Sequence, residues 1–256
     1  MAAEQPIQQL EQWVAPGVCL LARTEVANRG LIGQIANRLM SPSGIWLYVH
    51  QNQAALIDAP FAWEDASPAI ELIADFLHGN QIQLKYVTAS HLHLDHSAGL
   101  TAALDYFTEA KFVYPEQWQA HWNTTCFDRI KYGVQSTMSR QWDRDPHKSY
   151  ENRFTTDLAG EPLHFMEAPY HSLTDQLVIF RGVAILPDWH LPTTLDEPLQ
   201  LVEAPSADVT DTISRLRHFE RDTGYHISQS CAVHGDEAIR SDFQERLKVA
   251  YQRFVA

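Results

Sequence analysis

Four potential metal-binding side chains lie within six residues of the chain, in the segment His91-Leu92-His93-Leu94-Asp95-His96. Imidazole is the commonest protein ligand for transition metals, and a carboxylate beside it adds an anionic donor. Packing alone does not explain such a dense run, because four of these groups buried without an ion would need many hydrogen-bond partners. The segment therefore predicts a metal site.

The residues before this cluster suggest how its side chains converge. Residues 84–90 are predicted to form a β-strand that runs directly into the cluster. In an extended segment, residues two apart project to the same face, so His91 and His93 can reach one ion together. Where the chain then turns, Asp95 and His96 can point toward a neighbouring position.

Short strands and helices alternate around the cluster. Apolar runs predict strands at 18–22, 45–50, 54–59, 84–90, 110–115, 162–169, 176–180, 183–187 and 230–234. Apolar residues at helical spacing predict helices at 67–78, 97–107, 207–222 and 236–254. Strands interleaved with helices favour two packed sheets with helices outside, a layered α/β arrangement.

One segment does not follow this pattern. Residues 115–155 contain Trp118, Trp122 and Trp142 among charged residues and turn formers, with weak periodicity. We expect a helical insertion or lid there. The length of 256 residues predicts one domain, spanning 1–256.

The sequence SHLHLDHSAG, residues 90–99, resembles the HxHxDH signature of the metallo-β-lactamase superfamily. Further motifs of that family follow in order, with His171 in APYHSLTDQLVIF, Asp188 in AILPDW and His234 in CAVHGD. Asp58 in ALIDAP resembles the early strand motif that supports the site from behind. The resemblance implies an αββα sandwich with a metal cleft at the sheet edge.

The resemblance also implies the ligands of two metal ions. One ion would be held by His91, His93 and His171, and the other by Asp95, His96 and His234, with Asp188 bridging both. Asp58 would orient a ligand imidazole. Nitrogen and carboxylate donors without thiolate suit two divalent zinc ions, but they also suit iron or manganese.

Hydrolysis is the reaction that this ligand set predicts. Two cations lower the pKa of a shared water, and Asp95 is the candidate catalytic residue that holds this water and relays its proton. The substrate would be a small ester, lactone, thioester or phosphoester. The alternative is a non-haem iron oxidoreductase. Diiron relatives place glutamate where this chain has His93, whereas a mononuclear iron dioxygenase keeps the histidines.

Charge and composition disfavour some classes of binding partner. A formal net charge of −13 disfavours an extended nucleic-acid footprint, and no apolar run is long enough for a membrane span. The N-terminal segment has neither a basic start nor an apolar run, and three scattered cysteines do not form a disulfide framework. We therefore expect a cytoplasmic protein acting on a small molecule, with its oligomeric state left open.

Two histidines and a cysteine outside the motifs also need an interpretation. His164 falls in a predicted strand, where a core histidine with its hydrogen bonds satisfied is the simplest interpretation. His190 is more simply a surface or packing residue, with a contact to the cleft as the alternative. Cys126, alone in the predicted insertion, is expected to be buried and inert.

Overall fold

The computed structural model describes residues 7–24, 42–60, 67–122, 147–198, 202, 204–234 and 239–255. Within these residues the first sheet has the strand order β1-β2-β3-β4-β5-β6-β7. Its strands are β1 (Ile7–Ala15), β2 (Val18–Thr24), β3 (Ser43–His50), β4 (Gln53–Ile57), β5 (Gln83–Thr88), β6 (Lys111–Pro115) and β7 (His147–Tyr150). Pairing is antiparallel from β1 to β4 and parallel from β4 to β7.

The second sheet has the order β12-β11-β10-β9-β8. Its strands are β8 (Arg153–Leu158), β9 (Glu161–Glu167), β10 (Gln176–Phe180), β11 (Val183–Leu186) and β12 (Gln229–Ala232). Among the described strands of this sheet, only β11 and β12 pair in parallel. The described helices are α1 (Ser67–Gly79), α2 (Leu94–Ser97), α3 (Leu100–Tyr106), α4 (Gln117–Trp122), α5 (Ser206–Thr223) and α6 (Phe243–Phe254).

Side-chain alternation along the strands creates the layers. In β3, Ile45 and Leu47 join a core with residues of α1 and α3, whereas Trp46 and Tyr48 join the core between the two sheets. This is the period of two expected for a strand buried on both faces. A third core packs α5 and α6 on the outer face of the second sheet. The predicted αββα sandwich is therefore confirmed.

Strand direction brings several loops to one edge of the sandwich. β4 and β5 are parallel, so their carboxyl ends lie at the same edge of the first sheet. β9, β11 and β12 share one direction in the second sheet. The backbone N–H of Gly44 donates to the carbonyl of Val233 over 3.1 Å, which joins the start of β3 to the segment after β12. The loops that carry the predicted ligands consequently meet.

Several predicted elements differ from the structure. The helix predicted at 97–107 begins only at Leu100, after the separate short helix α2. β5 ends at Thr88, so the histidine cluster is not an extended strand end. The helix predicted at 236–254 begins only at Phe243. Arg240 and Ser230 exchange backbone hydrogen bonds of 2.7 and 2.9 Å, so pairing beside β12 takes the place of the first helical turns. Residues 235–238 lie outside the described part.

The predicted insertion at 115–155 is described only at its ends. Residues 117–122 form α4, and β7 and the start of β8 occupy 147–155. Residues 123–146, which include Trp142 and Cys126, lie outside the described residues, so the insertion or lid stays a prediction. Among the described residues, no helix combines the length and apolar character that a membrane crossing requires.

Candidate metal centre

The predicted ligands lie on one short helix and on loops at the common edge. His91 and His93 occupy the loop after β5, and Asp95 and His96 lie on α2. The remaining three follow β9, β11 and β12, respectively: His171, Asp188 and His234. The structure brings all seven side chains together in two groups that share one member.

The first group consists of His91, His93, His171 and Asp188. Each offers one ligand atom, and these four atoms lie within 4.8 Å of one another. Nε2 of His171 is 3.0 Å from Nδ1 of His93. Although His91 and His93 lie in a loop, their side chains converge as the sequence spacing suggested.

The second group consists of Asp95, His96, Asp188 and His234, again with ligand atoms within 4.8 Å of one another. Nε2 of His234 lies 3.1 Å from Nε2 of His96 and 3.1 Å from Oδ2 of Asp95. Because Asp188 belongs to both groups, its carboxylate lies where it could bridge two ions.

Burial and neighbouring charges shift the pKa values of several side chains in the site. Burial and the neighbouring imidazoles hold the pKa of His91 well below its usual value, which favours the neutral, metal-binding form. Burial also opposes charge on His96, but the carboxylates of Asp95, Asp188 and Asp58 outweigh it and raise the pKa of His96. Despite burial, His96 and His234 keep the pKa of Asp95 below its usual value, so Asp95 is ionised.

The buried polar atoms of the site that have no hydrogen-bond partner among the described residues include Nε2 of His91 and Oδ1 of Asp95. Such orphaned atoms are costly in an apolar interior. A cation would satisfy both, because each carries a lone pair. The nitrogen and carboxylate donor set, without thiolate, fits two divalent metal ions.

Asp58 lies directly behind these ligands. Its Oδ2 is 2.9 Å from Nδ1 of His96, and its Oδ1 accepts the backbone N–H of Ser90 over 2.5 Å. Its backbone has a φ of +64°, in the left-handed region that aspartate tolerates better than most residues. A carboxylate at this distance can orient the His96 imidazole.

Ser90 connects Asp58 to His91, a member of the first group, through hydrogen bonds. Its hydroxyl donates to Oδ2 of Asp58 over 3.0 Å and lies 3.2 Å from Nδ1 of His91. Because the side-chain oxygens of Asp58 act as acceptors in these contacts, the hydrogen-bond pattern places a proton on Nδ1 of both His91 and His96. In the neutral ring that binds a metal ion, both Nε2 atoms then direct a lone pair into the site. Sequence reasoning missed Ser90, because a lone serine at a strand end carries no distinguishing signal.

The comparison with protein families agrees with this geometry. The model of the metallo-beta-lactamase superfamily matches residues 41–183, more than half of the chain. The chain belongs to this superfamily. The matched range includes the HLHLDH cluster and His171, whereas Asp188 and His234 lie beyond it. The family resemblance stated from the sequence is confirmed.

Solved structures from the superfamily share the fold. The DIM-1 metallo-beta-lactamase is 14% identical, with 98% of each chain covered and a TM-score of 0.57. Rubredoxin oxygen:oxidoreductase from Desulfovibrio gigas is 16% identical, covering 95% of this chain and 60% of that chain, with a TM-score of 0.59. ETHE1 from Myxococcus xanthus is 14% identical, with 83% of each chain covered and a TM-score of 0.52.

These identities support a common fold and do not choose among activities. No curated protein sequence matches the chain significantly. The superfamily fold nevertheless explains why ligands distant in sequence meet at one edge of the sandwich.

The loop that carries His171 is fastened to the HLHLDH segment. The hydroxyl of Thr174 accepts the backbone N–H of Leu92 over 3.1 Å. The indole of Trp118 in α4 donates to the carbonyl of Thr174 over 2.7 Å. Thr174 thus connects two ligand loops to the start of the predicted insertion.

Within the described residues, the site is exposed on one side. His91 and His96 are fully buried, whereas His93, Asp188 and His234 are partly exposed. These three residues form the exposed side of the site. His190 lies outside both groups and pairs with Glu197 at 2.7 Å, and the buried His164 lies in β9, away from both groups.

Proposed function

We propose that this superfamily member is a metal-dependent hydrolase that cleaves a small ester, lactone, thioester or phosphoester. The observation that carries the proposal is the sharing of Asp188 by two ligand groups. Two ions held side by side are typical of hydrolytic sites that activate a shared water.

In this proposal, zinc ions occupy both groups. The first is held by His91, His93 and His171, the second by Asp95, His96 and His234, and Asp188 contributes to both. When bound, the ions supply a water of lowered pKa and polarise the substrate oxygen. Asp58 and Ser90 keep two ligand imidazoles in the tautomers that present Nε2.

Asp95 is the proposed catalytic residue of the chain itself. His96 and His234 keep its carboxylate ionised, and its buried Oδ1 has no described hydrogen-bond partner. An ionised carboxylate can orient the attacking water and take up its proton. The same group can then deliver that proton to the leaving atom, so no serine or cysteine nucleophile is needed.

Access favours a small substrate in this proposal. His93, Asp188 and His234 form the partly exposed side of the site, and the net charge of −13 disfavours a long polyanion. We also propose that the protein acts in the cytoplasm.

A non-haem iron oxidoreductase is the second candidate. The first group alone supplies three histidines and one carboxylate, which is sufficient to hold a single iron. Oxygen consumption by protein containing one iron per chain would favour this activity over hydrolysis.

The test of the proposed function is a substrate panel. Zinc-loaded wild-type protein is assayed with esters, lactones, thioesters and phosphoesters. Two variants are assayed in parallel: Asp95→Asn, and Asp105→Asn as a control at an exposed residue outside the ligand groups. We expect hydrolysis of at least one class, lost in the Asp95 variant and retained in the control. Failure to cleave any class, or equal rates in wild type and D95N, would overturn the proposal.

A further inference from the structure

We infer that Asp175 is a positioning residue that fixes His171 relative to Asp188. The inference rests on the metal centre of the proposed function, to which both of these side chains belong. It assigns Asp175 no contact with substrate. Its role would be to hold two ligand loops at one spacing.

Asp175 is fully buried and accepts four hydrogen bonds. Its Oδ2 accepts the backbone N–H of Tyr170 over 3.3 Å and that of Ser172 over 2.9 Å. Its Oδ1 accepts the hydroxyl of Ser172 over 2.8 Å. The fourth donor is the indole of Trp189, 2.9 Å from Oδ2.

The donors to Asp175 are the chain neighbours of two candidate metal ligands. Tyr170 and Ser172 flank His171 in the chain, and Trp189 directly follows Asp188. The Asp175 carboxylate therefore accepts hydrogen bonds from both residues that flank His171 and from the residue that follows Asp188. The two loops belong to different strand connections, so backbone pairing within either loop does not fix their separation.

Packing around the carboxylate reinforces the link. The rings of Tyr170 and Trp189 lie 5.1 Å apart, and the Tyr170 hydroxyl donates to the carbonyl of His190 over 3.2 Å. On the other side, the hydroxyl of Thr212 in α5 donates to the carbonyl of Pro169 over 3.0 Å. The two ligand loops are thus fastened to each other and to a long helix.

A carboxylate suits this position better than its neutral analogue. All four partners can donate, whereas an asparagine would present an N–H₂ group toward donors. Enclosing a charge costs free energy, and burial raises the pKa of Asp175 to about 6. Four donors offset that cost, in an arrangement that asparagine cannot reproduce.

Zinc affinity, measured by competition with a chromophoric chelator, tests the inference without any substrate. Trp189→Phe removes the one donor that links Asp175 to the Asp188 loop. Trp118→Phe is the matched control, because it also removes a buried indole hydrogen bond to the His171 loop but leaves Asp175 untouched. Asp175→Asn is the second variant, and thermal unfolding of the metal-free proteins records stability separately.

We expect W189F to weaken one of two zinc-binding steps about 10- to 100-fold, the range typical when support behind a ligand is removed. D175N should weaken the same step at least as much, and W118F should leave both steps within about twofold of wild type. Unchanged zinc affinity in W189F, or equal losses in W189F and W118F, would overturn the inference. Wild-type protein that binds zinc but hydrolyses nothing would refute the proposed activity alone.

Discussion

His91 and His164 are both buried, and in each the Nε2 atom has no hydrogen-bond partner among the described residues. Their surroundings are opposite. Around His91 lie the rings of His93, His96 and His171, at centroid distances of 4.5, 4.1 and 5.2 Å. Around His164 lie the rings of Phe219 and Tyr225, at 5.4 and 4.6 Å.

The difference shows that burial and an unsatisfied nitrogen do not by themselves identify a metal ligand. His164 binds the hydroxyl of Thr155 through Nδ1 over 2.9 Å, and no carboxylate among the described residues is paired with it. His91 belongs to a group that includes the carboxylate of Asp188. Convergence of several lone pairs, with anionic groups among them, distinguishes the candidate metal centre.

The largest effect is expected at Asp188, which belongs to both groups. Asp188→Asn should reduce hydrolysis of the best panel substrate by about 10³-fold, since metal activation contributes several kcal/mol to transition-state stabilisation. Steady-state kinetics at fixed zinc measure this. The exposed Asp196 on the same loop supplies the control, and D196N should stay within about twofold of wild type. Comparable losses in the two variants would remove the special role of Asp188.

A smaller effect is expected from substitutions of Asp58 and Ser90, which contact the ligand imidazoles on the side away from the proposed metal ions. Asp58→Asn keeps a residue that tolerates the left-handed backbone but reduces the capacity to accept from His96 and Ser90. We expect zinc affinity to fall about 10- to 100-fold. Ser90→Ala should have a smaller effect, because His96 keeps its contact with Asp58. Chelator competition measures both variants, and a larger loss in S90A than in D58N would reverse the proposed order of support.

The core histidine predicts a pH effect on stability. Burial, aided by Arg153, lowers the pKa of His164 from 6.5 to about 4. Above pH 6.5, His164 is neutral in both the folded and the unfolded state, so its protonation does not lower the free energy of unfolding. As the pH falls from 6.5 to 4, the unfolded state binds a proton first, and the free energy of unfolding should drop by at most roughly 3 kcal/mol.

Urea unfolding of metal-free wild type and His164→Phe, at pH 7.5 and pH 4.5, measures this contribution. The difference between the two proteins removes the titration of the other histidines. We expect a smaller loss of stability in H164F over this interval. Identical pH dependence in both proteins would show that His164 is not held neutral by the core.

The smallest effect is expected at an exposed histidine. Nδ1 of His226 lies 2.7 Å from Oε2 of Glu220, but the two side chains are 53% and 60% exposed. Exposed ion pairs contribute little, so His226→Ala should change the free energy of unfolding by no more than about 0.5 kcal/mol. Urea unfolding at pH 7 measures it. A change as large as that caused by H164F would contradict the distinction between buried and exposed histidines.

The sequence predicts the buried elements of this fold well. β4, β10 and α1 match their apolar runs closely, because central strands and packed helices carry their own hydrophobic pattern. The strands without a sequence prediction were β1, β7 and β8, and each lies at the edge of its sheet. Edge strands bury less surface, so pairing with a neighbour determines their structure more than their own composition does.

The candidate site also contains residues that the sequence predicts and residues that it does not. The HLHLDH cluster is local and visible, and the family resemblance supplied His171, Asp188, His234 and Asp58. Ser90 and Asp175 were not assigned roles in the site, because each acts through partners distant in sequence or through backbone groups. Their contacts depend on loop geometry that spacing does not encode.

Elemental analysis of untagged protein, purified gently from cells grown without added metal, tests the central claim most directly. Two ligand groups that share Asp188 predict about two zinc ions per chain. Protein without metal that also fails to bind zinc on addition would contradict a metal centre. One iron per chain would contradict the dinuclear zinc site and favour oxygen-dependent chemistry.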